Sequence, residues 1–400
     1  MLNKILSILA PICAAMALSV STGCQPHELV IRAFDNGIDL SLLPEFEAYY
    51  QQQTGHEIKV SYIVSLEHEA LDAVRHGEPC DIANPVQAAI PTYIAEGLVQ
   101  PIDHSRIVPL DSYLPWLVDL ECDPKNRYSV PYGYFTTGLL FNADLVDRED
   151  MKSIAVLWNK KYAGKIFVKN FEYELYNMTA LYLQRDRLMK LANNGEYPQA
   201  FRDSMPLIWN EHSPAMQQAV KEALIEQSKL LKSYDIAKQI KECMVNGTAA
   251  IARAWTSEAL YAMSHNKSLE FVIPQEGSVT LLPYWVIPKH AQNVEAAYLF
   301  LKFMAQPNIA LRNMIMSGQT SAQTSVIEAF RRQKENDADF FADKSPEWKA
   351  MYFDAVSLSD ETLKRVPIYI APDLDSACRN DIVRTVHEVF EVVKKMKNEE

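Results

Sequence analysis

The alternation of short strand-like runs with helical segments constrains this chain more than any other feature. Residues 29–33 form a mostly apolar run of strand length, and a helical segment follows it and ends at Gly55. A second alternating run, residues 56–63, precedes a helix that ends at Gly77, and residues 81–83 form a third strand-like run. Glycine directly after a helix is typical of a left-handed C-terminal turn. Strands that alternate with helices in this way are typical of layered α/β proteins.

The same alternation continues through the second half of the chain. Ser213 offers an N-cap hydroxyl and Pro214 a first helical residue, which together predict the start of a helix. Residues 249–255, 269–273 and 282–287 are predicted to be strands. The last predicted helix carries an apolar stripe at Ile382, Val386, Val389 and Val393. Stripes at helical spacing are typical of core packing, so we interpret none of them as a site.

The N-terminus is typical of an exported lipoprotein. Lys4 gives it a basic start, and residues 5–20 form an uncharged apolar run that is shorter than the roughly 20 residues of a membrane-spanning helix. The run ends in Ser-Thr-Gly before Cys24, which resembles the bacterial lipobox. We therefore expect residues 1–23 to be a signal peptide and Cys24 to carry a lipid that anchors the mature chain to the membrane, in the periplasm or at the cell surface. Cleavage without lipidation and an uncleaved N-terminal anchor are the alternatives.

Charge and motif content favour a binding protein over an enzyme. The chain has 39 Lys and Arg against 51 Asp and Glu, a net charge of −12, which is too acidic for a protein that follows nucleic-acid phosphates. With 12 glycines in 400 residues, it has neither the dinucleotide-binding nor the P-loop glycine pattern. Its sequence also contains no H-E-x-x-H zinc motif and no G-x-S-x-G nucleophile motif. We therefore expect no enzymatic activity, no metal and no cofactor.

Four cysteines follow the predicted lipidation site: Cys80, Cys122, Cys243 and Cys378. Their wide spacing fits no zinc motif. In an oxidising envelope they could pair in any of three connectivities, among which the sequence does not choose. Four buried thiols are the alternative.

A stretch in the middle of the chain resembles a known family. Residues 123–142 read DPKNRYSVPYGYFTTGLLFN, which is similar to the crossover segment of bacterial ABC-transporter extracellular solute-binding proteins of the spermidine/putrescine type. Further similar stretches follow in the family's order. They are residues 157–158 with 162–165, 247–255, 273–277, and 287–288 leading into 293–297. The resemblance covers residues 29–325, and its collinear order makes it specific for the fold.

The resemblance implies an α/β fold of the two-lobe, periplasmic-binding-protein-like (type II) class with crossing hinge strands. Lobe 1 would comprise residues 27–134 plus 282–325, and lobe 2 residues 135–281. Residues 326–400 would form C-terminal helices that pack across both lobes. The resemblance also implies a monomer that encloses a small solute in the cleft by hinge closure and delivers it to an ABC permease, with no nucleic-acid partner.

The resemblance places two ligand-contacting positions directly in this sequence. The family has an acid where this chain has Glu174, and a strand-borne tryptophan where it has Trp255. Other positions depart from the family, because Phe171 replaces a second acid and Gln319 stands where a late tyrosine is expected. We keep Gln319 among the candidate ligand-binding residues.

Four further candidates come from the loops and strands that face the cleft in this fold. Asp35 and Asn36 lie on the loop after the first strand, where they could replace lost acids. Tyr134 and Tyr284 are candidate aromatic walls, with packing inside the lobes as the alternative. All four follow from the resemblance and from their positions in the chain.

The ligand itself is less constrained than the fold. A polyamine needs carboxylates for its ammonium groups and aromatic faces for its methylene chain. Two of the three expected acids and most of the aromatic residues are replaced in this sequence. We therefore expect the ligand to be a polyamine or another amine, bound by a set of residues that differs from the family's. An amino acid or a short peptide, or a non-transport role as a surface or sensor lipoprotein, are the alternatives.

Overall fold

A computed structural model describes residues 27–35, 37–193, 196–235, 237–342, 344–356, 358, 368–370 and 376–399. The predicted signal peptide, the predicted lipidation site Cys24 and the candidate residue Asn36 lie outside the described residues.

The described residues contain the six strands that the sequence pattern predicts, one of them much shortened, and seven further strands. They are β1 (His27–Ala33), β2 (Ile58–Val64), β3 (Ile82–Ala83), β4 (Val130–Pro131), β5 (Gly133–Asn142), β6 (Ile166–Lys169), β7 (Leu231–Asp235), β8 (Ile251–Trp255), β9 (Leu269–Val272), β10 (Ser278–Leu281), β11 (Tyr284–Trp285), β12 (Thr320–Ser321) and β13 (Ile368–Ile370). The predicted strand over 282–287 is reduced to the two residues of β11. Pro283, which lacks a backbone N–H, interrupts the run just before it.

The helices alternate with these strands. They are α1 (Leu42–Thr54), α2 (Glu67–Arg75), α3 (Ile90–Ala95), α4 (Glu172–Leu191), α5 (Gln199–Trp209), α6 (Pro214–Ser228), α7 (Ala237–Val245), α8 (Thr256–His265), α9 (Val294–Met304), α10 (Pro307–Ser317), α11 (Thr324–Glu335), α12 (Ala338–Phe341), α13 (Pro346–Val356) and α14 (Ser376–Glu399). Gly55 follows α1 with a φ of 76°, the left-handed C-terminal turn that the sequence predicts. The Ser213 hydroxyl accepts from the Met216 backbone N–H, which confirms the predicted N-cap of α6.

The first lobe is built on a sheet of three parallel strands in the order β2-β1-β3. Leu29 and Ile31 on one face of β1 and Val30 on the other are all buried, as expected for parallel strands covered on both faces. Helices α1 and α9 close one face, where the Phe46 and Phe300 rings meet edge to face at 5.1 Å.

The second lobe is built on a mixed sheet in the order β13-β10-β5-β8-β6-β7, in which β9 and β12 also pair with β5. Strand β6 runs parallel to β7 and β8, and β5 is antiparallel to β8, β9 and β10. Two apolar clusters flank this sheet, one that includes Leu139 and Ile251 and another that includes Leu140 and Phe271. The predicted α/β fold is therefore confirmed in both lobes.

Two antiparallel strands connect the lobes. In β5, Tyr134 packs in the first-lobe core and Leu139 in the second-lobe core. Its neighbour β10 makes the same crossing, from Val279 in the second core towards Leu282 in the first. Buried hydroxyl pairs join the two strands, at 2.6 Å between Thr136 and Thr280 and at 2.6 Å between Thr137 and Ser278. These are the crossing strands that the resemblance implies.

The C-terminal segment packs mainly on the second lobe. Helix α14 lies against α4 and α6, and its apolar stripe, which includes Ile382 and Val386, is buried there. Tyr352 and Phe353 of α13 join the other second-lobe cluster, whereas Leu358 packs in the first-lobe core. The exact lobe boundaries stay a prediction.

Two further findings concern anchoring and cross-linking. Within the described ranges, no helix combines the length and the apolar character that crossing a membrane requires. Cys80, Cys122, Cys243 and Cys378 are all thiols, and no disulfide joins any two of them.

Candidate functional site

A cluster of buried charged residues lies where the chain crosses between the lobes. Trp255 ends β8 directly before α8, and its indole Nε1 donates a hydrogen bond to the Glu174 carboxylate in the first turn of α4. The two principal candidates from the sequence are therefore in direct contact. Glu174 is buried, whereas Trp255 is partly exposed and stacks at a tilt on Phe135 of β5, with ring centroids 4.8 Å apart.

Lys169 completes this cluster together with Glu258. The Lys169 ammonium lies 3.2 Å from the centroid of the Trp255 ring, 3.0 Å from Glu258 Oε2 and 4.0 Å from Glu174 Oε2. Its side chain is 4% exposed, as is that of Glu174. We call Trp255, Glu174 and Glu258 the cage, and Lys169 sits inside it.

Local structure explains why these side chains converge. Lys169 follows the apolar run of β6 and so emerges at the carboxyl end of a parallel strand, the edge where α/β proteins place their sites. Both carboxylates lie in first helical turns, Glu174 in α4 and Glu258 in α8, where the positive end of the helix dipole favours negative charge. Glu258 also accepts a 2.8 Å hydrogen bond from the Trp255 backbone N–H, which fixes the start of α8.

Burial and the neighbouring charges shift the pKa values of this cluster in opposite directions. Burial lowers the pKa of Lys169, and the attraction of Glu174 and Glu258 opposes that change. Burial likewise raises the pKa of Glu258, while Lys169 counteracts it. Because one ammonium lies within 4.0 Å of two carboxylates, we treat the cluster as ionised.

The first lobe carries a different carboxylate, Glu67, on the side that faces the second lobe. Glu67 begins α2, and its Oε2 accepts a 2.9 Å hydrogen bond from the Val86 backbone N–H. Its Oε1 is buried and has no hydrogen-bond partner among the described residues. Burial raises the pKa of Glu67 to about 7, partly offset by Val86 and by Arg379 of α14. The charges of Glu67 and Arg379 both act on Tyr173 of α4, so Glu67 faces the second lobe.

Asp35 lies on the exposed loop after β1. The Tyr62 hydroxyl holds this loop with a 2.6 Å hydrogen bond to the Phe34 carbonyl. Burial, and then the charge of Asp35, raise the pKa of Tyr62. The structure thus places Asp35 beside Tyr62 within the first lobe, and a contact with solute stays a prediction.

Gln319 is buried between the crossing strand and α10. Its side-chain amide donates to the Tyr134 carbonyl at 3.1 Å. With Tyr132 and Asn313 it lines a cavity of about 20 Å³, enough space for a water molecule. A role in ligand binding likewise stays a prediction.

The two candidate aromatic walls are packed inside the first-lobe core. Tyr134 is fully buried, and its hydroxyl donates to the Val356 carbonyl and accepts from the Leu358 N–H, both at 3.0 Å. Tyr284 is 1% exposed, and its hydroxyl donates to the Leu117 carbonyl at 2.7 Å. Both hydroxyls are satisfied by the backbone, which favours the packing alternative over a cleft wall.

Sequence reasoning missed Lys169, Glu258 and Glu67. The signals were a lysine that ends the apolar run 166–168 and a glutamate three residues after Trp255. Nothing in the sequence marks Glu67 apart from its position in a first helical turn. As for metals, no three His, Cys, Asp or Glu side chains of the described residues come together as ligands.

The crossing strands and the charged cluster at their junction define a two-lobed binding protein. The family model described as bacterial extracellular solute-binding protein matches residues 46–346. The chain belongs to this family of bacterial extracellular solute-binding proteins.

Individual relatives agree with this membership. The chain is 24% identical to the spermidine/putrescine-binding periplasmic protein of Escherichia coli strain K12 over 275 residues, which are 68% of this chain and 72% of that protein. Its fold is similar to that of a protein described as a spermidine/putrescine ABC transporter from Listeria monocytogenes, with a TM-score of 0.71, 23% identity and coverage of 91% of this chain and 98% of that one. It is also similar to the TpPotD lipoprotein of Treponema pallidum, with a TM-score of 0.64, 18% identity and coverage of 90% and 99%. The predicted periplasmic-binding-protein-like fold is therefore confirmed, and the first two of these relatives are named as a binding protein and a transporter.

Proposed function

We propose that the mature chain is the solute-binding subunit of an ABC importer, which encloses a small organic amine between its lobes and releases it unchanged to a permease. The observation that carries this proposal is the buried charged cluster at the point where β5 crosses between the two cores. Buried charges are costly, so a protein that keeps three of them next to a hinge gives them a role there.

The first-lobe carboxylate supports an amine as the ligand. Glu67 Oε1 is buried without a hydrogen-bond partner in the described residues, and its charge is only partly compensated by Arg379. An ammonium group that donates to this oxygen would supply the missing partner. The partly exposed Trp255 offers an aromatic surface on the opposite side of the cleft.

In this proposal the bound solute favours the closed arrangement of the lobes, which is the form that delivers it to the permease. A ligand shifts the open and closed populations only by the difference between its affinities for the two states. A change from 1:99 to 99:1 needs about 5.5 kcal/mol of such a difference. A solute that contacts Glu67 in one lobe and Trp255 in the other gains its second contact only on closure.

Thermal unfolding of the mature chain, residues 24–400 with Cys24→Ser, tests the proposal. The panel contains monoamines, diamines, spermidine, amino acids and dipeptides, with glucose as the uncharged control. A bound amine at 100 times its Kd should stabilise the protein by about 2.7 kcal/mol. If no member of the panel raises the melting temperature, the proposal is wrong.

A pair of variants tests the residue that we assign to the amine. Glu67→Gln keeps the acceptor for Val86 and removes the charge, so amine affinity should fall by about 10- to 150-fold, as for a lost charge-assisted hydrogen bond. Glu57→Gln, which changes an exposed carboxylate of the same lobe, should leave the affinity unchanged. Equal affinities for both variants would contradict the assignment.

We also propose that a lipid on Cys24 holds the mature chain at the membrane. The lipobox-like sequence supports this proposal, as does the likeness to a structure named as a lipoprotein. Cells that express the full chain with a labelled fatty acid should yield a labelled, membrane-bound protein. Cys24→Ala should abolish the label, whereas Cys80→Ala should keep it, and an unlabelled wild-type protein would contradict the proposal.

A further inference from the structure

The cage in the second lobe already contains a cation. A cation interacts well with an aromatic ring when it lies within about 6 Å of the ring centroid. The Lys169 ammonium lies 3.2 Å from the Trp255 centroid and therefore occupies the position that a ligand ammonium would need on that face. It is also the ion-pair partner of Glu258 and Glu174, at 3.0 and 4.0 Å.

The charges around the cage balance without a ligand. Glu174 and Glu258 supply two negative charges, and Lys169 and Arg253 supply two positive ones. Arg253 is buried on β8, donates to Thr137 at 2.8 Å, and acts electrostatically on Lys169. A further ammonium in the cage would be a buried charge without a counter-ion, which is unfavourable.

The first lobe offers a contrasting site. Glu67 Oε1 and Glu174 Oε2 are both buried without a hydrogen-bond partner in the described residues. Glu174 already has the Lys169 ammonium 4.0 Å away, whereas Glu67 can accept an ammonium from the solute. Because Glu67 and the cage lie in different lobes, a diamine that spans the two lobes would place its second ammonium against the second lobe, where Lys169 already fills the Trp255 cage.

We propose that Lys169 is a built-in cation that fills the cage of Trp255, Glu174 and Glu258, so that the enclosed solute carries at most one ammonium group and is not a diamine or triamine. This inference rests on the proposed function for the location of the solute. Lys169 then determines how many ammonium groups the solute can carry, because its own ammonium occupies the position that the second ammonium of a diamine would take.

The test empties the cage and refills it from solution. Lys169→Ala removes three carbons and the ammonium, which is the composition of n-propylammonium. We expect n-propylammonium and putrescine to bind this variant about tenfold or more tightly than they bind the wild type, measured by calorimetry. The uncharged n-propanol should have no such effect. Lys165→Ala, which removes an exposed lysine directly before β6, should behave as the wild type.

Two results would overturn the proposal. One is a wild-type protein that binds putrescine or spermidine as tightly as the variant does. The other is a folded Lys169→Ala protein that binds n-propylammonium no better than the wild type. Circular dichroism establishes whether the variant has folded.

The proposal stays testable where the variant does not fold by itself. Refolding that succeeds with n-propylammonium and fails with n-propanol supports it, because the added cation then replaces the missing side chain. If neither restores folding, calorimetry on the wild type decides: spermidine binding with micromolar affinity overturns the proposal, and no binding supports it. If the proposed function is wrong, no solute of any class binds the wild type. Binding of n-propylammonium to Lys169→Ala is a separate observation, because it reports only whether the cage accepts a cation.

Discussion

Each lobe carries a glutamate with a buried carboxylate oxygen, but the two lobes differ in how that charge is compensated. In the second lobe, Glu174 and Glu258 share the ammonium of Lys169, which is also held against the Trp255 ring. In the first lobe, Glu67 has one backbone N–H donor and a bare second oxygen among the described residues. Glu174 Oε2, like Glu67 Oε1, has no hydrogen-bond partner among the described residues, but it has the Lys169 ammonium 4.0 Å away. The second-lobe carboxylates therefore share a buried counter-ion, whereas Glu67 is only partly compensated by Arg379.

This difference indicates where selectivity for charge arises. A site that supplies its own counter-ion is stable when empty and is closed to a ligand's cation. A site with an uncompensated carboxylate carries a cost until a ligand cation arrives. We therefore expect the first lobe to recognise the charge of the solute, and the second lobe to limit how many charges it has.

The largest effect should follow from removal of the built-in cation. Lys169→Met leaves Glu174 and Glu258 buried without it, and breaking a buried ion pair in this way costs about 3–5 kcal/mol. Urea unfolding should show this loss. Lys165→Met, an exposed neighbour, should stay within about 0.5 kcal/mol of the wild type. A Lys169→Met protein as stable as the wild type would show that the second-lobe face does not depend on its cation.

The next effect is the pH dependence contributed by Glu67. Its carboxyl has an ordinary pKa of 4.5 and a pKa of about 7 in the folded protein, because burial disfavours the charged form. Between these values the folded state binds more protons, so Glu67 lowers the stability as the pH rises from 4.5 to 7. The penalty reaches about 3 kcal/mol above pH 7.

Glu67→Gln removes this penalty. The variant should match the wild type at pH 4.5 and exceed its stability at pH 8, as measured by urea unfolding at both values. Glu57→Gln, with an exposed side chain, should follow the wild type at both. If the wild type and Glu67→Gln lose stability in parallel as the pH rises, Glu67 is not the uncompensated carboxylate that the comparison of the two faces requires.

A smaller effect should separate core tyrosines from cleft residues. Tyr134→Phe leaves the Val356 carbonyl and the Leu358 N–H without their buried partner, which costs about 1–3 kcal/mol. Tyr284→Phe, with one such bond, should cost less. Neither change should alter the Kd of a bound solute. A large rise in Kd with unchanged stability would place these rings in the cleft after all.

The smallest effect is expected at the exposed edge of the second lobe. His387 of α14 lies 2.9 Å from Glu172, and 59% of its side chain is exposed. Exposed pairs contribute about 0–1 kcal/mol, so His387→Ala should change the stability by no more than that at pH 6 or pH 8. A larger loss would mean that α14 depends on this contact more than on its buried stripe.

The sequence predicted the alternating elements because apolar periodicity depends on nearby residues. It did not predict Lys169, because the partner Glu258 lies 89 residues away and their contact depends on how β6 and α8 are placed. The sequence also did not decide whether the Tyr134 side chain packs in the core or lines the cleft. Successive side chains of a strand point to opposite faces. Tyr134 and Phe135 point to opposite faces in this way: Tyr134 packs in the first-lobe core, and Phe135 contacts the Trp255 ring.

Nuclear magnetic resonance of the protein labelled with ¹⁵N-lysine observes the built-in cation directly. An ammonium buried over the Trp255 ring should give a slowly exchanging Nζ signal with a ring-current shift, absent from Lys169→Met and displaced in Trp255→Leu. A spectrum in which every lysine ammonium exchanges rapidly and none responds to Trp255→Leu would contradict a cage that holds its own cation.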